Sequence, residues 1–144
     1  MEKIGRAEPA LVDTGIIYAL ADRNDEWHDR AVGFVSVFRG RLIVPWAVIP
    51  EACYLLNAYI GQAAELAFLK TLVDREMSVE QLEGQDLVRT GEIMKRYPGA
   101  NVGFVDASVA AMAERLKITV LLTTDRRHFS IIKPAHCEGF TLVP

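Results

Sequence analysis

The segment ITVLLTTDRRHF, residues 118–129, joins the most strand-like run of the chain to an unusual ending. The run from Ile118 to Leu122 is rich in β-branched and aliphatic residues, which is typical of a strand buried within a sheet. Two threonines, Asp125 and two arginines follow at once. A strand that only supports a core has no need of a carboxylate at its end, so this junction is a candidate functional position.

The rest of the sequence alternates short apolar strands with amphipathic helices. Because parallel strands are joined by helical crossovers, this alternation predicts a mainly parallel sheet with helices on both faces, a three-layer α/β/α sandwich. A length of 144 residues is close to that of one ordinary domain, so residues 1–144 are predicted to form a single domain. The predicted strands are ALVD (10–13), RLIVP (41–45), MSVEQL (77–82), ITVLLTT (118–124) and GFTLVP (139–144). The predicted helices are IIYALADR (16–23), EWHDRAVGFVSVF (26–38), AVIPEACYLLNAYI (47–60), GQAAELAFLKTLVDR (61–75), DLVRTGEIMKRY (86–97) and GFVDASVAAMAERLK (103–117).

Three local features carry more specific expectations. Asp25 has the character of an N-cap, so the second helix is expected to begin directly after it. Pro45 marks the entry to the third helix, and if the helix begins there, Pro50 removes an internal hydrogen bond and kinks it. Trp27, Trp46 and the phenylalanines fall on apolar faces and are predicted to lie in the core.

The composition is that of an ordinary folded protein, with 51% apolar and 24% charged residues. A net charge of -3 argues against a strongly basic, non-specific nucleic-acid binder, but it allows a nuclease whose acids are gathered in a metal site. Cys53 and Cys137 are far apart and are predicted to be reduced, small buried side chains. No signal-peptide or membrane-span pattern is evident, so a cytoplasmic location is expected.

Four carboxylates lie at junctions where a purely structural design would have none: Asp13, Glu51, Asp106 and Asp125. In parallel α/β folds such junctions meet beyond the carboxyl ends of the strands. Each acid taken singly has an ordinary alternative, as a cap, a first-turn acid or half of an ion pair. All four together would form a cluster of like charge, which is unfavourable unless a counter-cation is present or the pKa values are raised.

A hard divalent cation would relieve this repulsion. Mg²⁺ and Mn²⁺ prefer oxygen ligands, and they are commonly held by carboxylates together with the phosphate of a substrate. The chemistry expected of such a site is metal-assisted attack of water on a phosphodiester. Whether one or two ions act is left open.

The segments LVDTG, VPWAVIPEACYLL, GFVDASVAAMAERL and LLTTDRRHF resemble, in order and spacing, the motifs that carry the acidic quartet of PIN-domain ribonucleases. The last two are similar to those of the VapC-type toxin branch, and DEWHDRA is similar to the start of the family's second helix. The resemblance implies an α/β/α sandwich in which Asp13, Glu51, Asp106 and Asp125 bind Mg²⁺ or Mn²⁺ and hydrolyse RNA. It also implies a toxin that forms a homodimer and is neutralised by a cognate antitoxin protein.

Within this resemblance, Asp13 and Asp106 are the first candidates for direct metal ligands. Glu51 is a ligand or an acceptor that orients water, and Asp125 acts directly or through water. Tyr54 and Tyr59 are assigned to a dimer face. Supporting or substrate-binding roles are predicted for Thr14, Thr123, Thr124, Arg126, Arg127 and Asn101, with turn formation, capping or surface ion pairing as the alternatives.

The three histidines, His28, His128 and His136, match no catalytic pattern and are predicted to be structural or surface residues. Other classes of protein were weighed against the nuclease. The string DTG also occurs in aspartic proteases, but the helical segment after it disfavours that class, and a receiver domain would need an acidic pair and a lysine that are not evident. A PIN-like binding module without catalysis and a nuclease acting on DNA remain as alternatives.

Overall fold

A computed structural model describes residues 7–144 of the chain, so the expectation of one domain over residues 1–144 extends beyond the described part. Five strands form one sheet in the order β3-β2-β1-β4-β5, and every pair of neighbours is parallel. The bounds are β1 (Ala10–Val12), β2 (Leu42–Pro45), β3 (Ser78–Glu80), β4 (Val120–Leu122) and β5 (Thr141–Val143).

Seven α-helices connect these strands. They are α1 (Thr14–Ala21), α2 (His28–Val37), α3 (Val48–Tyr59), α4 (Gln62–Val73), α5 (Gly84–Arg96), α6 (Phe104–Leu116) and α7 (Arg126–Ile131), with a 3-10 turn at Pro98–Ala100. Among the described residues, α1 contacts α2 and α3, and α3 contacts α4, while α6 contacts α5 and α7. Because strand order reverses direction after β3, right-handed crossovers place these two groups on opposite faces of the sheet. The predicted α/β/α sandwich is confirmed.

The centre of the sheet is fully apolar. Strands β1, β2 and β4 contribute Leu11, Ile43 and Leu121, each of which is buried. Helix α6 packs against this layer through an unbroken buried run, residues 107–113, that contains four alanines. Small side chains allow the helix to lie close to the sheet, and this fixes the position of the first turn of α6, where Asp106 lies.

Strand β1 is the point at which the strand order reverses. Its neighbours are β2 on one side and β4 on the other, so loops leaving β1 and β4 diverge to opposite faces. Parallel sheets open a crevice at such a point. The register pairs Val12 with Leu122, and Asp13 N–H donates to the carbonyl of Leu122 at 2.9 Å. The two residues that follow the paired strands are therefore held side by side.

Two of the local expectations for helices are corrected. Asp25 does not cap α2, because α2 begins at His28 and the Asp25 carboxylate accepts from the N–H of Trp27 in the preceding turn. Helix α3 begins at Val48 rather than beside Pro45. Pro50 is therefore in the first turn, where a backbone N–H has no intrahelical partner, and it removes no internal hydrogen bond.

Several side chains predicted to be buried are more exposed than expected. Trp46 and Phe104 are 49% and 46% exposed, and Cys53 and Cys137 are both half-buried free thiols. Periodicity indicated an apolar face for these residues, but it could not show that their helix ends or loops project beyond the sheet. The helix α7 was not foreseen. Among residues 7–144, no helix is long and apolar enough to cross a bilayer.

An ion-pair cluster ties α5 to α6 and to the edge strand β3. The Arg115 guanidinium donates to both carboxylate oxygens of Asp86, at 3.0 and 3.1 Å, and also reaches Glu80 and Glu83. Asp86 is only 2% exposed, and it also accepts from the backbone N–H of Glu83 at the start of α5. Breaking a pair of this kind leaves a buried charge without its partner.

Arg115→Met is expected to lower the free energy of unfolding by about 2–4 kcal/mol, because the Asp86 carboxylate loses its counter-charge while it stays buried. Lys70→Met is the matched control: Lys70 pairs with Asp74 on the surface, and its side chain is 74% exposed. Urea denaturation at neutral pH measures both variants. An equal, small loss in the two would contradict a structural role for the Arg115 cluster.

Candidate functional site

Asp13, which follows β1, is positioned by hydrogen bonds from the start of α1 and from the segment that follows β4. It is the N-cap of α1, where its Oδ1 accepts from the N–H of Thr14 at 2.8 Å. Its Oδ2 accepts from the hydroxyl of Thr123, which directly follows β4, also at 2.8 Å. With 6% of its surface exposed, Asp13 is a buried carboxylate whose orientation is fully determined by its neighbours.

The Thr123 hydroxyl also connects Asp13 to Asp125. The same oxygen that donates to Asp13 accepts from the backbone N–H of Asp125 at 2.9 Å. Asp125 is in turn the N-cap of α7, and its Oδ1 accepts from the N–H of His128 at 3.0 Å. A single buried threonine thus sets the spacing of two carboxylates that are 112 positions apart in the sequence.

Asp106 and Glu51 complete the acidic group from the two helical layers. Asp106 is in the first turn of α6, and its Oδ2 is 3.4 Å from Nδ1 of His128. Glu51 is in the first turn of α3 and is exposed. All four predicted acids line one open cleft of about 410 Å³, together with Thr14, Gly15, Leu55, Gly103, Phe104, Val105 and Thr124.

Gly15 is required by the close approach of Thr124 to α1. A Cβ at position 15 would lie 2.2 Å from Oγ1 of Thr124 and 3.3 Å from its Cβ. Both contacts are shorter than side chains normally allow. The absence of a side chain at Gly15 therefore lets the loop after β4 close over the start of α1, which brings the carboxylates of the two loops into one cleft.

Burial and mutual repulsion raise the pKa values of two of the acids. Burial is the main cause that raises the pKa of Asp13 to about 6, and the charges of Glu51 and Asp125 contribute in the same direction. Burial, followed by the charges of Asp13 and Asp125, raises the pKa of Asp106 to about 7. The hydrogen bond to Asp125 raises the pKa of the His128 imidazole. The cleft as it stands is short of positive charge.

The donor set fits a hard divalent cation. Carboxylate oxygens converge from four segments, and their raised pKa values are the response expected when no cation balances them. Thr14 also lines the cleft, but its hydroxyl oxygen is buried and has no hydrogen-bond partner among the described residues. Leaving such a group unpaired costs stability.

His128 was not predicted to lie beside the acids. Its hydrogen bonds to Asp125 and to the carbonyl of Ala100 agree with the structural role predicted for it, and its Nδ1, 2.8 Å from Oδ2 of Asp125, also joins Asp106 and Asp125 in one group of possible metal ligands. The available signal was its position three residues after Asp125, which is the spacing of an N-cap and its helix. His28 and His136 instead bond to the carbonyls of Ala19 and Ile118 and are structural, as predicted.

The other predicted residues divide into two groups. Thr14, Thr123 and Thr124 lie in or beside the cleft, as described. Arg126 is turned away from the carboxylates: its guanidinium donates to the carbonyls of Leu142 and Pro144 and lies 5.4 Å from the ring of Trp27. Arg127 is exposed beside it. Asn101 is an exposed residue with a φ of 53°, outside the set that lines the cleft, so it forms a turn.

The fold and the acidic cleft are those of a PIN domain. The model of the family described as PIN domain matches residues 10–133, and the chain belongs to this family. Ribonuclease VapC26 of Mycobacterium tuberculosis is 28% identical to the chain over 134 residues, which is 93% of this chain and 99% of that protein. The recognition of a VapC-like member of the PIN family is therefore confirmed.

Solved structures show the same fold. The crystal structure of Mycobacterium tuberculosis VapC20, described as a toxin that cleaves the sarcin-ricin loop, superimposes with a TM-score of 0.77 at 23% identity, covering 81% of this chain and 90% of that one. VapBC2 of Rickettsia felis, solved with a DNA fragment from its promoter, superimposes with a TM-score of 0.67 at 14% identity, covering 93% and 96%. At these identities the structures establish the fold alone.

Asp106→Asn is expected to stabilise the protein without metal by about 1–3 kcal/mol at pH 8. The pKa of Asp106 rises from 3.8 to about 7 on folding, so between these values the folded state binds the extra proton and stability falls as pH rises. Asparagine removes this penalty, which is complete only above pH 7. Urea denaturation in EDTA measures the gain.

The same variant should show little gain at pH 4, where the folded carboxyl is already neutral. Glu138→Gln, which changes an exposed acid outside the cleft, provides the control at both pH values. A gain of equal size at pH 4 and pH 8 would show that charge repulsion in the cleft is not the cause.

Proposed function

We propose that the chain is a divalent-metal-dependent endoribonuclease that hydrolyses RNA phosphodiester bonds and serves as the toxin of a toxin–antitoxin pair. The observation that carries this proposal is the convergence of Asp13, Glu51, Asp106 and Asp125 on one cleft at the reversal point of the sheet. Structural acids have no reason to be gathered where their charges raise one another's pKa values. A polyanionic substrate needs positive charge there, and a cation held by these acids provides it.

Asp13, Asp106 and Asp125 are the residues that would hold Mg²⁺ or Mn²⁺, and Glu51 lies at the exposed side of the same cleft. The ion, when bound, neutralises the charge of the phosphate and makes a nearby water more acidic. Thr123 holds the Asp13 carboxylate and the Asp125 backbone, and so sets the spacing of the two acids that follow β1 and β4. Glu51 is exposed, which leaves its carboxylate free to accept the proton that the attacking water loses.

The balance of the reaction follows from these positions. The oxygen of water forms a new bond to phosphorus, one phosphorus–oxygen ester bond breaks, and the leaving oxygen takes a proton from solvent. No covalent bond to the protein is required. Single-stranded or loop RNA suits an open cleft of this size, because a flexible single strand can bend its backbone into the cleft and a rigid duplex cannot.

The proposed role as a toxin is supported by the relatives rather than by the cleft. The similar protein of Mycobacterium tuberculosis is named ribonuclease VapC26, and similar folds include VapBC assemblies of Rickettsia felis and Salmonella typhimurium. A cognate antitoxin is therefore the proposed partner. The homodimer remains a prediction, for which Tyr54 and Tyr59 offer large side chains that are 70% and 72% exposed.

Asp13→Asn and Asp106→Asn are each expected to reduce RNA cleavage by more than about 100-fold, because each removes a charge that the cation needs. The assay incubates the purified protein with total RNA and Mg²⁺ or Mn²⁺, against EDTA, and sequences the new ends. Glu138→Gln should cleave like the natural protein. Cleavage that survives in EDTA, or in both asparagine variants, would refute the proposed mechanism.

A catalytically silent binding module and a nuclease for DNA are distinguished in the same assay. Single-stranded DNA of matching sequence is supplied in a parallel reaction. Cleavage of DNA but not RNA would show that the substrate is DNA. Binding of RNA without cleavage in the presence of either metal would show that the protein is a binding module and not an enzyme.

Arg126 and Arg127, predicted together as phosphate contacts, are expected to behave differently. Arg127 is exposed, and Arg127→Ala should weaken RNA binding and lower the slope of log K against log salt by about 0.7, the value for one phosphate contact on a single strand. Arg126→Ala should instead lower thermal stability, because it releases the carbonyls of Leu142 and Pro144. Filter binding of an uncleaved RNA to Asp106→Asn protein measures the slopes, and an unchanged slope in Arg127→Ala would remove this residue from the RNA contact.

A further inference from the structure

His128 brings a nitrogen donor close to Asp106 and Asp125, two of the acids that line the cleft. Among residues 7–144, the Asp106, Asp125 and His128 side chains form the group whose possible metal-binding atoms lie within 4.8 Å of one another. Nδ1 of His128 is 2.8 Å from Oδ2 of Asp125 and 3.4 Å from Oδ2 of Asp106. Two ligands of one ion, with bonds of about 2.1 Å at right angles, are about 3.0 Å apart. The observed spacings lie on either side of this value.

The orientation of the imidazole is fixed from its other side. Nε2 of His128 donates to the carbonyl of Ala100 at 3.0 Å, in the 3-10 turn that precedes α6. Metal-binding histidines are usually held in this way, with one ring nitrogen bonded to a backbone carbonyl or carboxylate while the other faces the ion. The hydrogen bond to Ala100 therefore directs Nδ1 toward Asp106 and Asp125.

The contact between Nδ1 of His128 and Oδ2 of Asp125, at 2.8 Å, is a hydrogen bond in the structure. A cation bound by both groups would take the place of the proton that they share, so binding of the cation would release a proton.

We propose that Nδ1 of His128 is a ligand of the divalent cation, together with Asp106 and Asp125, and that this nitrogen makes the cleft prefer Mn²⁺ over Mg²⁺. Mg²⁺ is bound almost entirely by oxygen, whereas imidazole nitrogen favours the transition metals. The inference rests on the proposed function only in that both place a cation in the same cleft. It adds a ligand and a metal preference that the four carboxylates alone do not supply.

Two substitutions at position 128 distinguish the roles of the two ring nitrogens of the histidine. His128→Gln keeps an N–H donor near the place of Nε2, so the bond to Ala100 can persist while the ligand at Nδ1 is lost. His128→Asn puts a carbonyl oxygen near the place of Nδ1, which replaces nitrogen by oxygen and gives up the bond to Ala100. His136→Gln is the matched control, because His136 bonds to the carbonyl of Ile118 outside the cleft.

Calorimetric titration of the metal-free full chain with Mn²⁺ and with Mg²⁺ gives the ratio of the two affinities without any RNA. His128→Gln is expected to lower Mn²⁺ affinity by about tenfold or more and to change Mg²⁺ affinity much less. His128→Asn should retain binding of both ions with a smaller Mn²⁺ preference. His136→Gln should match the natural chain.

Pulsed electron paramagnetic resonance of the Mn²⁺-loaded protein provides a second measurement that a purely positional role would not alter. Coupling of Mn²⁺ to an imidazole nitrogen is expected in the natural chain and in His136→Gln, and it should vanish in His128→Gln. Mn²⁺ binding without nitrogen coupling, or an affinity ratio unchanged in His128→Gln, would overturn the His128 ligand and leave the proposed nuclease standing. Absence of any metal binding by the folded protein would overturn both.

Discussion

Repulsion among carboxylates at the reversal point of the sheet is the constraint on which this structure depends. Asp13 and Asp125 follow the carboxyl ends of the neighbouring strands β1 and β4, and Asp106 and Glu51 come from helices on the two faces of the sheet. The run of small residues in α6 and the register of β1 with β4 bring the segments that carry Asp106, Asp13 and Asp125 together. The resulting cost is visible in the raised pKa values of Asp13 and Asp106. Gathering these carboxylates in one cleft therefore costs stability once they are ionised.

Much of the fold was accessible from the sequence because it depends on short-range patterns. Strand-like runs such as residues 118–124 and helical runs such as residues 103–117 were sufficient to predict a parallel sheet with two helical layers. The errors fall where a pattern was brief or ambiguous. Asp25 is a good capping residue, but it caps a turn before α2 instead of the helix itself. The six-residue helix α7 is too short for periodicity to detect.

The candidate site was predictable in its acids but not in its connections. Acidic residues are identified directly from the sequence, so the four carboxylates at predicted junctions could be recognised individually. The Thr123 hydroxyl that links Asp13 to Asp125 depends on tertiary contact and had no signature beyond its neighbourhood. The proximity of His128 to the acids could not be predicted because an isolated histidine carries no pattern, and its contacts with Ala100 and Asp106 join residues more than twenty positions apart.

The contact between Gly15 and Thr124 makes two distant positions depend on each other. A side chain at position 15 would meet the Thr124 hydroxyl at 2.2 Å, so any enlargement there requires a smaller or displaced residue at position 124. These two positions should therefore vary together among descendants of this sequence rather than independently. Laboratory evolution that randomises one loop while holding the other constant would discard most of its variants, and libraries that diversify both loops together would explore the cleft more efficiently.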